Sequence, residues 1–323
     1  MIRWGIAGPG IIANKFAAAV KNVDGAELYA VASRSLDRGR AFADKYGIEK
    51  LYVGYESMAE DPKIDAVYVS TPHPFHLPIA RLFLEHGKHV LCEKPLTVNA
   101  GEARQLARIA KENRAFLMEA MWTRFLPAVK AAVKIAESGE IGEIKSLSAD
   151  FCYLLGEGED DKLLMRDMAG GSLLDVGVYC LHFADLFLGR HPEKIFATGR
   201  TSEGVDLSAD IILSYPGGAL VRLSSAMDHS KPFSAYVYGS RGHIFLPDFY
   251  KARKLYVCKD GEERCIEAAP LGDGFEEEII ETCRCIREGK TESDILPLSV
   301  SIELLELADT VRSCLGISYP FEK

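Results

Sequence analysis

The residues able to do chemistry fall in a few short stretches. In Gly8-Pro9-Gly10-Ile11-Ile12-Ala13 the first glycine permits a tight turn and the second lets the backbone approach a pyrophosphate. Ala13 takes the third small position, where a bulkier side chain would push a helix away from a strand. Backbone N–H groups around Ile11 and Ile12, at the positive end of a helix dipole, would then face phosphate. Further on, Ser33-Arg34-Ser35-Leu36-Asp37-Arg38 lacks a carboxylate at its start, where chains that bind NAD place one for the ribose hydroxyls. Ser33, Arg34 and Arg38 are suited to a 2′-phosphate, and arginine offers several donors to such a group at once. NADP is the expected cofactor, with NAD as the alternative.

Two more stretches follow apolar runs that read as strands. Cys92-Glu93-Lys94-Pro95 places a lysine just past His89–Cys92, and Thr71-Pro72-His73-Pro74-Phe75-His76 follows Ala66–Ser70. In open parallel sheets ligands bind at the carboxyl ends of strands, so Lys94 is expected to point toward the nicotinamide. Pro95 allows a cis peptide bond. A loop lysine is ordinarily a salt-bridged surface residue. Against that reading stands Gly170-Gly171-Ser172-Leu173-Leu174-Asp175-Val176-Gly177-Val178-Tyr179, which sets Asp175 and Tyr179 four residues apart on one helix face. Its glycines allow close backbone approach to whatever lies opposite.

The elements that must position these residues show in the hydrophobic pattern. Strands at Ile2–Ala7, Leu28–Ala32, Ala66–Ser70, His89–Cys92 and Ala115–Met118 alternate with helices after Gly10, at Leu36–Tyr46, Ile79–His86 and Ala100–Asn113. That rhythm predicts a doubly wound parallel sheet, a Rossmann domain over residues 1–120. From 121 to 323 the pattern changes to an α+β domain with a largely antiparallel open sheet. Helices are expected at Pro127–Ser138, Gly171–Leu188, Phe275–Glu288 and Leu298–Cys314, the last able to pack back on the first domain. Strands at Ser146–Tyr153, Ala209–Tyr215, Leu220–Ala226 and Ala235–Tyr238 lie between them, with Pro216-Gly217-Gly218 as a hairpin turn. Such a sheet leaves one face uncovered by helices, and a homodimer through that face is the expected cover.

Size and composition agree. At roughly 150 residues per domain, 323 residues make two. A net charge of −9 opposes polyanions, which argues against nucleic acid and acidic membrane surfaces as partners. The longest stretch free of Asp, Glu, Lys and Arg, Ala66–Ala80, has 15 residues, short of the about 20 a spanning helix needs. After Arg3 the chain runs directly into Gly and Pro, unlike an export signal, so a cytoplasmic location is expected. The eight cysteines include no C-x-x-C pair and read as reduced thiols, mostly buried. His73/His76 and His86/His89 have metal-like spacing without a helix-borne carboxylate motif, and no metal is expected.

Taken together, the early G-x-G, Glu93-Lys94-Pro95, the T-P-x-x-x-H segment and the Gly170–Tyr179 run resemble the oxidoreductase family of glucose–fructose oxidoreductase and inositol dehydrogenase, across nearly the full length. Met118-Glu119-Ala120-Met121-Trp122-Thr123-Arg124-Phe125 is most similar to the trans-1,2-dihydrodiol dehydrogenase subgroup, whose activity overlaps NADP-dependent D-xylose oxidation. The resemblance implies that Lys94, Asp175 and Tyr179 form the catalytic group. Hydride leaves carbon only as the hydroxyl proton leaves oxygen, so an acid/base must reach that oxygen. A phenol, with a reference pKa of about 10, needs a nearby ammonium to lower it. Tyr179 is assigned as the acid/base, with Lys94 lowering its pKa and Asp175 orienting a substrate hydroxyl or Lys94. The roles of Lys94 and Tyr179 are interchangeable at this stage. Thr71, Pro72, His73, His76 and Glu93 are assigned to the cofactor side, and Trp122, Phe151 and Phe275 to the lining for a sugar ring or planar diol, with core packing the alternative for each aromatic. The expected reaction is hydride transfer between NADP and a cyclic polyol, an aldose or a trans-dihydrodiol. Reduction of a sugar ketone or dicarbonyl, and a non-catalytic NADP-sensing regulator, are the competing readings.

Overall fold

The computed structural model describes residues 1–156 and 161–322. The chain forms two compact units, Met1–Trp122 with Leu271–Ile302, and Thr123–Pro270 with Glu303–Lys323.

The first unit runs β1 (Ile2–Ala7), α1 (Ile11–Val20), β2 (Ala26–Ser33), α2 (Leu36–Tyr46), β3 (Lys50–Val53), α3 (Glu56–Glu60), β4 (Ala66–Val69), α4 (His76–Glu85), β5 (His89–Glu93), α5 (Ala100–Glu112) and β6 (Leu117–Ala120). Its six-stranded sheet has the order β3-β2-β1-β4-β5-β6, and every pairing is parallel. This is the expected doubly wound arrangement, with the order reversing between β1 and β4. All four residues of β4 are buried, as a strand covered on both faces requires. Under β1 and β4, Phe16 stacks on Tyr68 with ring centroids 3.9 Å apart, and Trp4 meets Phe16 edge-on at 5.2 Å. The Ser35 hydroxyl accepts the Arg38 N–H at the start of α2, and Asn99 accepts the Glu102 N–H at the start of α5. Two local readings change. The sheet gains β3, a four-residue edge strand too short to show a period. Helix α4 starts at His76 rather than Ile79, because Pro78 falls in the first turn, where its missing N–H costs nothing.

The second unit contributes α6 (Pro127–Glu137), β7 (Ile144–Cys152), α7 (Val178–Leu188), β8 (Lys194–Ser202), β9 (Val205–Ser214), β10 (Leu220–Ala226), β11 (Ala235–Gly239), β12 (Gly242–Leu246), β13 (Lys254–Lys259) and β14 (Glu262–Glu267). Their order is β14-β13-β12-β11-β7-β10-β9-β8, antiparallel except for the β7–β10 pair. Gly217 and Gly218, at φ 83° and 84°, turn β9 into β10 at the expected hairpin. Leu147, Ala149, Val221, Leu223, Val237 and Ile244 are buried on the face that α7 covers. The stretch Arg166–Leu188 is apolar and long enough to suit a bilayer, yet 78% of its most apolar 18-residue window is buried inside the protein.

Helix α8 (Phe275–Arg287) clusters with the first unit rather than with residues 121–270. Asn22 donates to Glu276 at 2.8 Å, Arg287 donates to the Gly25 carbonyl at 3.0 Å, and the Leu117 N–H donates to the Thr291 carbonyl at 3.0 Å. These ties join residues far apart in sequence, so a boundary drawn at 120/121 misses them. Helix α9 (Leu298–Leu315) begins in the first unit and continues in the second.

Candidate active site

The phosphate loop follows β1 directly. Gly8 has φ +97°, and a Cβ there would stand 3.0 Å from Thr71 Cγ2 and 3.1 Å from the Ser70 carbonyl oxygen. Gly10 precedes α1 with no side-chain cap, and the first turn of α1 holds no acidic residue. The N–H groups that open α1 are therefore left for a ligand. Beside this loop, Thr71 Oγ1 is buried without a hydrogen-bond partner among the described residues. The glycine cradle, the uncapped N–H groups and the orphaned hydroxyl together fit a dinucleotide phosphate. Ser33 is buried at the end of β2 and accepts the Ser35 N–H, whereas Arg34 and Arg38 are exposed. Arg34 lies over the Phe75 ring at 5.4 Å, a contact that fixes its guanidinium beside the strand ends.

Past β5, Lys94 precedes Pro95 through a cis peptide bond. The neighbouring Glu93 is buried. It accepts the Tyr68 hydroxyl and, at 3.1 Å, the Lys94 N–H. Burial raises its pKa, and the Lys94 charge and these hydrogen bonds oppose the rise. Glu93 is thus a buried brace of the lysine loop. His76 is tied to the same loop. It is fully buried, with ring nitrogens 2.8 Å from the Pro95 carbonyl and 2.7 Å from the Thr71 carbonyl. Burial lowers its pKa while the two carbonyls pull the other way. The ring ties the loop after β4 to the loop after β5 and has no nitrogen left for a ligand. His73 is partly exposed, 5.8 Å from the His76 ring. No group of His, Cys, Asp and Glu suited to a metal occurs among the described residues. In the same unit Trp122 and Phe275 pair at 4.9 Å, both nearly buried.

The second unit carries Asp175 and Tyr179. Asp175 lies in a wide turn, Leu173–Gly177, where the Val178 N–H reaches back five residues to the Leu173 carbonyl. The expected regular helix from Gly171 therefore begins as a π turn, a feature frequent at functional sites. Asp175 accepts the Tyr153 hydroxyl at 2.9 Å. Tyr179, in the first turn of α7, is buried against Phe151 at 5.4 Å and Tyr250 at 6.2 Å, and Phe233 completes the wall at 5.1 Å from Phe151. The two glycines ahead of the turn meet protein. A Cβ at Gly170 would stand 2.3 Å from the Leu163 carbonyl oxygen, and one at Gly171 would stand 2.1 Å from Asp206 Oδ1. Tyr153, Phe233 and Tyr250 are not among the site residues expected from sequence. Tyr153 closes the expected strand Ser146–Tyr153, one residue past β7, but Phe233 and Tyr250 lie in connections whose apposition to Tyr179 has no local signal.

A doubly wound parallel sheet with a glycine turn after its first strand defines a dinucleotide-binding protein, and comparison with known proteins makes it an oxidoreductase. A family model described as "Oxidoreductase family, NAD-binding Rossmann fold" matches residues 2–121, and the "GFO/IDH/MocA C-terminal domain" matches residues 129–245. The chain belongs to the Gfo/Idh/MocA oxidoreductase family. Trans-1,2-dihydrobenzene-1,2-diol dehydrogenase of Mus musculus is 36% identical, covering 100% of this chain and 99% of the relative. The Homo sapiens enzyme of the same name is 35% identical over the same shares. Among solved structures, the 3-ketoreductase KijD10 of Actinomadura kijaniata, in complex with NADP and TDP-benzene, superposes with a TM-score of 0.87 at 28% identity, covering 97% of this chain and 98% of that one.

Proposed function

We propose that the enzyme transfers hydride between NADP and a CH–OH carbon of a trans-dihydrodiol, a cyclic polyol or an aldose such as D-xylose. The observation that carries this reading is that Asp175, held by Tyr153 at 2.9 Å, lies four residues before Tyr179, which sits in an aromatic wall. The full-length likeness to dihydrodiol dehydrogenases supports it. Gly8, Gly10, Ile11, Ile12, Thr71, Pro72 and His73 would hold NADP, with Arg34 and Arg38 toward the 2′-phosphate, and the oxidised nucleotide would supply the hydride acceptor. Tyr179 takes the hydroxyl proton, the Lys94 ammonium favours the phenolate and holds the substrate oxygen, and Asp175 orients a neighbouring hydroxyl. The aromatic rings suit the flat face of a diol or sugar ring. The likeness to a 3-ketoreductase favours a second reading, in which the same groups run the reaction toward reduction of a sugar ketone.

The test is turnover with NADP+ and a panel of dihydrodiols, pentoses, hexoses and cyclitols, alongside Lys94→Ala and Tyr179→Phe. The reading expects turnover on at least one class, lost by about 10²-fold or more in each variant with NADP affinity retained. Turnover on none, or full activity in either variant, overturns it.

We also infer a homodimer, with the second copy on the open face of the eight-stranded sheet. Tyr238, Tyr236, Phe245 and Tyr256 form a stacked row there, with centroid steps of 5.5, 4.5 and 5.8 Å. Phe196 and Ile212 extend the apolar surface and are 63% and 45% exposed. Ser148 and Arg222 stand between the two apolar groups in the sheet register, and an exposed face of this kind can pair with its own copy across a two-fold axis. Sedimentation at micromolar concentration should give the dimer mass, and a clean monomer refutes the inference.

A further inference from the structure

Asp206, at the second position of β9, is fully buried in the second unit. Its Oδ2 accepts the Ser172 hydroxyl at 2.7 Å and the Leu173 N–H at 2.6 Å, the two groups that open the wide turn carrying Asp175. Its Oδ1 has no hydrogen-bond partner among the described residues and rests against Gly171. The residue at 171 has φ +121°, and any side chain there would displace the carboxyl group. Ser172 is also 3.0 Å from Ser225 Oγ on β10, and Gly177, at the other end of the turn, fits against the same serine, where a Cβ would come within 3.0 Å. The turn is therefore held from the sheet at both ends, and Asp206 supplies the anionic hold at the start.

We propose that Asp206 is a positioning residue for the reaction: its carboxylate fixes the Leu173–Gly177 turn and through it the aim of Asp175 and Tyr179. The proposal rests on the catalytic roles given above to that pair. Burial raises the Asp206 pKa to about 6, against the pull of Ser172, the Leu173 N–H and Arg312. Among the described residues, Arg312 and Tyr319 are the charged or titratable side chains that act on it. Arg312 on α9 is bound to Asp309 at 2.6 Å and to Glu322 at 2.8 Å, and Tyr319, also near Asp206, donates its hydroxyl to the Gly170 carbonyl at 3.1 Å. The folded protein thus binds the Asp206 proton more tightly than the unfolded chain does. The stability this proton contributes is complete below the ordinary aspartate pKa and is lost as pH rises through about 6. The ionised form is the better acceptor for both donors. Stability and positioning consequently respond to pH in opposite directions, which separates a positioning role from a structural one.

Asp206→Asn keeps the shape and removes the ionisation. At pH 8 the variant should melt no lower than the wild type. Its kcat should nonetheless fall about tenfold, with KM and NADP affinity within twofold. The fall of wild-type kcat below pH 6 should be absent from the variant's profile. Ser172→Ala, which leaves Asp206 in place, should lower kcat about threefold and speed amide exchange at Leu173–Val178. If Asp206→Asn fails to fold, Ser172→Ala decides: kcat per folded molecule equal to wild type overturns the proposal. Wild-type kcat in a folded Asp206→Asn, or an unchanged limb near pH 6, also overturns it. Either result leaves the Lys94 and Tyr179 assignments standing, whereas loss of the proposed function would show as absent turnover in the wild type.

Discussion

The ion pair between Arg124 and Asp185 offers a perturbation whose cost follows from burial. The guanidinium donates to Asp185 Oδ2 at 2.7 Å, and the two side chains are 6% and 3% exposed. Arg124 also donates to the His182 carbonyl at 3.3 Å, so it ties the turn Trp122–Phe125 to α7, the helix that carries Tyr179. Asp185 has a second cation, Arg190 at 3.1 Å, but Arg190 is 27% exposed and keeps Glu303 at 2.8 Å. Asp185→Ala therefore falls mainly on Arg124, which loses its carboxylate inside the core. Removing one partner of a buried pair costs about 3–5 kcal/mol. At about 2–4 °C per kcal/mol for a domain of this size, the melting temperature should drop by about 6–20 °C. Replacing both, in Arg124→Met with Asp185→Leu, should restore most of that loss, since apolar substitution of a whole pair is often close to neutral. Differential scanning calorimetry at pH 7 compares Asp185→Ala with the wild type and measures the cycle of wild type, Arg124→Met, Asp185→Leu and the double variant. A single variant melting within about 2 °C of wild type, or a double variant worse than either single, would show that the pair is not held as a desolvated unit.

Other expectations concern the cofactor and a second buried acid. Arg34→Ala should weaken NADP binding by about 10–100-fold, the loss of a hydrogen bond to a charged group, and leave NAD affinity unchanged; equal effects on both nucleotides would remove the 2′-phosphate assignment. Gly8→Ala forces φ +97° on a residue with a Cβ, beside contacts of 3.0 and 3.1 Å. At about 2 kcal/mol of strain, the NADP dissociation constant should rise ~30-fold in a fluorescence titration, and a change under threefold would refute the cradle. Glu278 on α8 is fully buried, neither carboxyl oxygen has a partner among the described residues, and burial with the Glu93 charge raises its pKa well above the usual value. The stability it contributes is complete below its ordinary pKa and declines as pH rises toward the folded value. Glu278→Gln should therefore gain on the wild type by about 1.4 kcal/mol per pH unit across that range, read from melting temperature against pH; parallel curves would contradict the burial argument.

Much of this molecule is written locally. The βαβ rhythm, the glycines before α1 and the absence of a carboxylate after β2 depend on periodicity and on single-residue conformational freedom, which neighbours in sequence determine. Lys94, Asp175 and Tyr179 were marked by their place after a strand or along one helix, and by likeness to a family. Contacts between distant segments were not legible. That His76 spans two loops, that Glu93 braces the lysine loop, and that Gly171 is small for the sake of Asp206 depend on which strands become neighbours. The apposition of Phe233 and Tyr250 to the wall around Tyr179, and the return of α8 to the first unit, follow from the same long-range packing. A pattern of polar and apolar residues states which side of an element is buried; the partner it is buried against is chosen only when the whole chain minimises its exposed surface at once.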